Sequence, residues 1–382
     1  MRAVCITVIL SLVFCFSITP ARAGEEAKSD LEVLESGKGK EYDLKLDFTP
    51  GRTRTVVITR NLSGSRRNVP HVVEKKTHMT QTVEADNAGG YRVTRTFERL
   101  IQKVNYNTVT IVDCDTARKG EPLDEIGIIL SGLPGKSLIL CFDNSLELTE
   151  IKGKEEAYNG MVDALKKKVG DKGTAADFEG ARKKLEQSFH LDDFLEDLVK
   201  TETIIPGRKF AVGAKWRQPY TISFPDFTDI EASLTTEFME VKGNVAVLRQ
   251  TMQVPDNASA TYQTLMEMSV ALLNGSNTVC FDLEKKELKA FTRELHLEFS
   301  GTAPGGQKLV MKRNTKEIFE YGEKPGKKPG ETQAPEPAPE DREQPEKKPE
   351  KKSSKSGEKQ KPSGAKPENP DTEPESTPRK PR

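Results

Sequence analysis

Two stretches of the chain carry the residue types from which chemistry is usually built. Leu140-Cys-Phe-Asp-Asn-Ser-Leu-Glu-Leu148 and Val279-Cys-Phe-Asp-Leu-Glu-Lys-Lys-Glu-Leu288 each set a thiol two residues before a carboxylate. A repeated Cys/Asp pair could mark a repeated active site or a repeated piece of scaffold. Each phrase enters as a β-rich run, meets a polar turn at the aspartate and returns through Glu-Leu. Aspartate commonly opens such turns, because its side chain caps nearby amides. Asp143 and Asp282 therefore read as turn residues, and the repetition as scaffold.

The thiols admit a second reading. Cys5 and Cys15 lie in an apolar N-terminal stretch, which leaves Cys114, Cys141 and Cys280. Three is odd, so at most one internal disulfide forms, and the matching positions of Cys141 and Cys280 make them the candidate pair. The alternative is buried free thiols.

Other chemistry finds little support. His71, His78, His190 and His296 are the four histidines, none at metal-ligand spacing with a cysteine or a second histidine. His71 and His78 would fall on opposite faces of one regular strand. Asp192-Asp193 after His190 reads as the charged start of a helical turn. Gly-x-Ser-x-Gly, His-Glu-x-x-His and phosphate-binding glycine loops are absent from the sequence. A glycosidase-like carboxylate pair would have to come from residues whose spacing singles none of them out. The sequence thus assigns no catalytic residue, no cofactor and no metal.

The elements that would hold these residues are mostly strands. Tyr42–Phe48 alternates apolar and polar, a Thr-Pro-Gly-Arg turn follows, and residues 53–62 are rich in β-branched side chains. Residues 71–85, Asp86–Gly90 and 91–104 form the pattern of a long hairpin. Near residue 155 the period changes: Ala157, Met161, Leu165 and Val169, then Phe178, Ala181, Leu185 and Phe189, and a further run over 191–199, predict two or three amphipathic helices before Pro206-Gly207. Strands resume, with a second hairpin turning at Lys242-Gly243-Asn244 and a second Cys-Phe-Asp hairpin after it. The expected fold is α+β and mostly antiparallel β, two related hairpin-rich halves with a helical insert between them and a disordered C-terminal tail. The expected divisions are a signal peptide (1–23), a flexible leader (24–40), a first β unit (41–154), the helical insert (155–205), a second β unit (206–321) and the tail (322–382).

The signal peptide rests on Arg2, an apolar run from Ala3 to Ile18 and the small-x-small ending Ala21-Arg22-Ala23. It implies export to the periplasm, the cell envelope or the exterior, with no membrane span after cleavage. Lys+Arg and Asp+Glu each number 59, so no net field draws the chain toward nucleic acid. The tail is rich in Pro, Glu, Lys, Ser and Gly and cannot bury enough apolar surface to offset its ordering entropy.

At Ile205-Pro-Gly-Arg-Lys-Phe-Ala-Val-Gly-Ala-Lys-Trp216 the chain resembles uncharacterised bacterial exported β-rich proteins, a family of unknown function marked by a proline, a V-x-x-G-x-x-W step and repeated long hairpins. Val212 departs from that spacing. The resemblance implies export and this architecture over residues 41–321, and it supplies no site. Trp216 is expected as a core anchor. Phe291, Leu295, Leu297 and Phe299 share one parity and make one strand face apolar, which reads either as core or as a face for an apolar ligand. The expected function is a non-enzymatic envelope protein binding a lipid or other apolar ligand. The alternatives are an assembly protein that engages envelope proteins through its tail and a hydrolase with an unrecognised carboxylate site.

Overall fold

A computed structural model describes residues 31–323, apart from short stretches at 67–68, 87–88, 119–123, 171–172, 189–190, 192–200, 202–204, 225–226, 263–265 and 303–305. All described residues fall in the first of the chain's two units, Met1–Gly326. The expected signal peptide, leader residues 24–30, nearly all of the third helical run and tail residues 324–382 lie outside the described residues.

In chain order the strands begin with β1 (Glu32–Ser36), β2 (Glu41–Leu44), β3 (Thr53–Arg66), β4 (Val69–Ala85), β5 (Tyr91–Tyr106) and β6 (Val109–Asp115). After a short helix α1 (Glu125–Leu130) come β7 (Ser137–Phe142) and β8 (Leu148–Lys152), then helices α2 (Lys154–Val169) and α3 (Ala175–Ser188). The second series is β9 (Arg208–Ala211), β10 (Ala214–Phe224), β11 (Phe227–Lys242), β12 (Val245–Gln253), β13 (Ser259–Tyr262), β14 (Met266–Asp282), β15 (Glu287–Thr302) and β16 (Lys308–Glu323). The fold is α+β and mostly antiparallel β.

Fourteen strands form one sheet, in the order β1-β10-β11-β12-β14-β15-β16-β3-β4-β5-β7-β8, with β6 beside β5 and β13 beside β11 and β14. Two five-strand runs follow the same order: β3-β4-β5-β7-β8 and β10-β11-β12-β14-β15. Each run has a short extra strand between its third and fourth members in sequence. The last strand, β16, pairs with β15 on one side and β3 on the other, and so joins the runs. A separate two-stranded ladder pairs β2 with β9.

Alternation decides which face is inner. On β15, Phe291, Leu295, Leu297 and Phe299 are at most 2 % exposed, while Glu294, His296 and Glu298 take the other face. The same parity buries Ile58 and Leu62 on β3, Leu234 and Phe238 on β11, and Phe319 on β16. Trp216 is fully buried on β10, and its ring stacks on Phe210 at 4.3 Å.

Residues 41–52 run as a strap along one end of the sheet. Tyr42 meets Phe238 edge-on, Asp47 N–H donates to Lys286 O, Phe48 packs on Phe142 and Tyr91, and Gly51 N–H donates to Val83 O. Leu44, Leu46 and Phe48 are buried along it. The strap therefore touches both Cys-Phe-Asp phrases, one through Phe142 and the other through Lys286.

The helices are held by capping and close approach. Asp124 caps α1 by accepting the Gly127 N–H at 2.6 Å. α2 carries Glu155 and Glu156 in its first turn and three lysines in its last, complementing its dipole, and buries Ala157, Tyr158, Met161 and Val162. Leu165 and Val169 are half-buried, so the expected stripe is tightest in the first half of the helix.

Three expectations are corrected. Part of the expected flexible leader is β1, whose Glu35 and Glu32 pair with Lys215 and Arg217 across the ladder. Gly322 and Glu323, expected in the tail, complete β16 against Thr55 and Arg54. Residues 125–130, where no helix was expected, form α1 because Asp124 supplies the cap.

Helix α2 meets the end of α1 glycine to glycine. A Cβ on Gly160 would lie 2.4 Å from Gly132 O, inside any real contact. Replacing Gly160 with Ala should lower stability by about 1–3 kcal/mol, as overpacking does, read as a lower midpoint in urea unfolding with an unchanged slope.

Candidate functional site

The two phrases are turns built alike. Asp143 Oδ1 accepts the backbone N–H of Ser145 at 2.8 Å and of Glu147 at 2.9 Å. Asp282 Oδ1 accepts from Glu284 N–H at 3.1 Å, Lys285 N–H at 2.9 Å and the Asn244 side-chain amide at 3.0 Å. Leu146 and Lys286, each just before the returning Glu-Leu, adopt left-handed backbone with φ of 64° and 53°. Phe142 pairs with Leu148 as Phe281 does with Leu288. Both aspartates serve as turn anchors.

The candidate disulfide is corrected. Cys114, Cys141 and Cys280 are all free thiols. Cys141 on β7 and Cys280 on β14 alternate with buried core residues and so lie on the outer face, six steps apart in strand order. At about 4.8 Å per step the separation along the sheet is roughly 29 Å, whereas a disulfide needs Cα atoms within about 7 Å. Equivalent places in two runs laid side by side are a run's width apart. Among the described residues no three His, Cys, Asp or Glu converge as metal ligands would. His71 is buried on β4 across from Gly64, and His296 faces Asn314 on the outer face.

Phe291, Leu295, Leu297 and Phe299 belong to the inner face and pack there: Phe291 meets Phe319 edge-on, and Phe299 stacks on Phe227 at 4.1 Å. The parity that aligns them also contains Arg293, 1 % exposed. That interruption recurs on strand after strand. Along the registers, Thr236, Gln250, Asn277, Arg293, Glu317, Arg60, Lys75 and Gln102 are successive directly opposed partners on β11, β12, β14, β15, β16, β3, β4 and β5. They form one polar belt across eight strands of the inner face, with apolar rows on both sides of it.

The belt is hydrogen-bonded in two segments. Asn277 Nδ2 donates to Gln250 Oε1 at 2.9 Å, and Gln250 Nε2 donates to Thr236 Oγ1 at 3.2 Å. Further along, Arg293 donates to Glu317 Oε2 at 3.1 Å while Arg60 Nε lies 2.8 Å from Glu317 Oε1. One carboxylate, 1 % exposed, thus serves two buried guanidiniums across the seam between the runs. Asn277 Oδ1 and Gln102 Nε2 have no hydrogen-bond partner among the described residues. Such groups ordinarily have water or a ligand as their partner.

A second inner cluster lies nearer the strap. Gln81 on β4 is opposed by Arg54 on β3 and Arg95 on β5. Arg95 Nε donates to Gln81 Oε1 at 3.1 Å; Arg54 donates to Leu288 O at 3.2 Å, approaches Glu287 at 3.3 Å and lies over the Tyr321 ring. Burial pushes the Glu287 carboxyl above its ordinary range, against the pull of Arg54 and Arg52. At the far end of β6 the opposite holds: a two-point hydrogen bond from Arg99 brings Asp115 down to about 2, which fastens β6 to β5.

The belt was the feature that strand-by-strand reading passed over. Its signal was present: Ile58-x-Arg60-x-Leu62, Leu248-x-Gln250-x-Met252 and Phe291-x-Arg293-x-Leu295 each hold one polar residue at core parity.

Removing the Glu317 carboxylate leaves two buried guanidiniums without their shared anion. Glu317→Ala should cost about 3–5 kcal/mol, the usual effect of breaking a buried ion pair on one side, measured as a fall in chemical-denaturation midpoint. Alkylation without reductant should modify Cys114, Cys141 and Cys280 in the denatured protein. In the native protein Cys114 should stay unlabelled, since burial and the nearby Asp124 push its thiol up to about 11.

A family model described as "Family of unknown function (DUF6263)" matches residues 88–287, just over half of the chain. No curated protein matches. Among solved structures, lipovitellin, in a structure titled for its lipid–protein interactions, is 8% identical with a TM-score of 0.38 over 73% of this chain. The chain spans only 26% of that protein's length. The translocator domain of the autotransporter NalP from Neisseria meningitidis is 8% identical with a TM-score of 0.17, covering 72% of this chain and 90% of that one. The match over 88–287 takes in β5 through β14 and both Cys-Phe-Asp motifs, and the chain belongs to this family of unknown function, DUF6263.

Proposed function

We propose that this is an exported, non-enzymatic cell-envelope protein that holds an apolar ligand, a lipid foremost, against the inner face of its sheet. The observation that carries the reading is the belt: apolar rows flank a line of hydrogen-bonding groups, two of which have no partner among the described residues. An amphipathic molecule has that same division. Phe291, Leu295, Leu297 and Phe299 would meet its apolar part, and the N-terminal pattern ending at Ala23 supports export. The matched strand orders and phrases support an internal duplication, each run supplying part of one continuous face.

A second reading has its own observation. β1 ends the strand order, and Val33 and Leu34 on it are 46 % and 40 % exposed, which suits an assembly protein pairing with an envelope partner there and tethered by residues 324–382. Native mass spectrometry of the protein purified gently from its own envelope fraction distinguishes the two. An added mass released on denaturation and identified as lipid is expected. A bare monomer mass together with crosslinked protein partners would replace the carrier reading with the assembly one.

A further inference from the structure

We infer that the Arg54–Gln81–Arg95 cluster is a binding site for the anionic headgroup, carboxylate or phosphate, of an acyl lipid. The inference rests on the lipid-holding reading and adds to it the charge of the ligand and the place where that charge sits.

Gln81 carries the argument. Its side chain is 1 % exposed and stands directly between Arg54 and Arg95 in the ladder. The Arg95 Nε–H fixes its orientation, because only the amide oxygen can accept that bond. The Nε2 donor is therefore turned away from Arg95, and it has no partner among the described residues. Leaving a buried donor unmet costs about 1–3 kcal/mol, so an acceptor at this point would be favoured. Arginine is the side chain best shaped for carboxylate and phosphate oxygens, and here two of them flank the donor. Met79 and Val83 on β4 and Val93 and Phe97 on β5, all buried, make the inner face around the cluster apolar, the setting that an acyl chain attached to the headgroup would share.

The test compares three probes on the purified protein: oleate, dioleoylphosphatidylglycerol and uncharged diolein, titrated by native mass spectrometry. At least one anionic lipid should bind about tenfold or more tighter than diolein. Oleate alone would identify a carboxylate ligand, phosphatidylglycerol alone a phosphate, and both the shared charge. Gln81→Leu should bring the preference to about one. Gln81→Glu, which places a carboxylate between the two guanidiniums from within the chain, should abolish it while keeping the fold. Thr80→Val, next to Gln81 but on the outer face of β4, should leave it intact. Diolein binding as tightly as both anions, or a preference that survives both Gln81 variants, overturns the headgroup site and leaves the lipid reading standing. Failure of all three lipids to bind overturns both.

Discussion

One carboxylate holds the two runs together. Glu317 sits on β16, between β15 of the second run and β3 of the first, and it pairs with Arg293 on one side and Arg60 on the other. Backbone pairing alone would allow this seam to slip, because strands of similar alternation fit in several registers. A charged triad inside the sheet permits one, since a shifted register would bury charges apart from their partners. The apolar rows on either side stay on the inner face only while that register holds.

From the triad the rest of the inner face follows. The amide relay from Asn277 through Gln250 to Thr236 continues the belt into the second run, and Lys75 and Gln102 continue it into the first. Apolar packing then fills what the belt leaves: Phe227 on Phe299, Phe291 on Phe319 and Phe48 on Phe142. The strap closes one end, and the two Asp-anchored turns receive it. In both phrases the aspartate shapes the turn while its neighbours make the contacts, Phe142 in one and Lys286 in the other.

Local signals made much of this visible in the sequence. Period-two alternation located the hairpins, Gly243 with its positive φ marked a turn, and the stripe from Ala157 to Met161 marked α2. The turn role of Asp143 and Asp282 followed from side-chain chemistry alone. What stayed hidden depends on pairing between distant residues. Nothing near Lys308–Glu323 says that it lies beside β3, some 250 positions earlier (Asn314 opposite Ser63 is a separation of 251). Arg60, Arg293 and Glu317 were each legible as a polar residue at core parity, but their meeting requires that long-range register. The cysteines misled for the same reason: likeness in sequence placed them in like positions, and like positions in adjacent runs do not touch. α1 escaped because six residues rich in isoleucine look like strand until the Asp124 cap is weighed.

The place of β16 also governs when the molecule can be finished. β3 is among the first strands to be made and has β4 as one partner, but its other edge waits for residues 308–323. During synthesis the first run therefore exists with an open edge, beside an inner-face arginine whose counter-charge has not yet been made. The sheet is completed only from its end, by the strand that arrives last, and pairings of such separation form slowly. Until that moment Arg60 and the edge of β3 are open to mispairing with any other strand or acid they meet, the hazard that unpaired edges carry in every unfinished sheet.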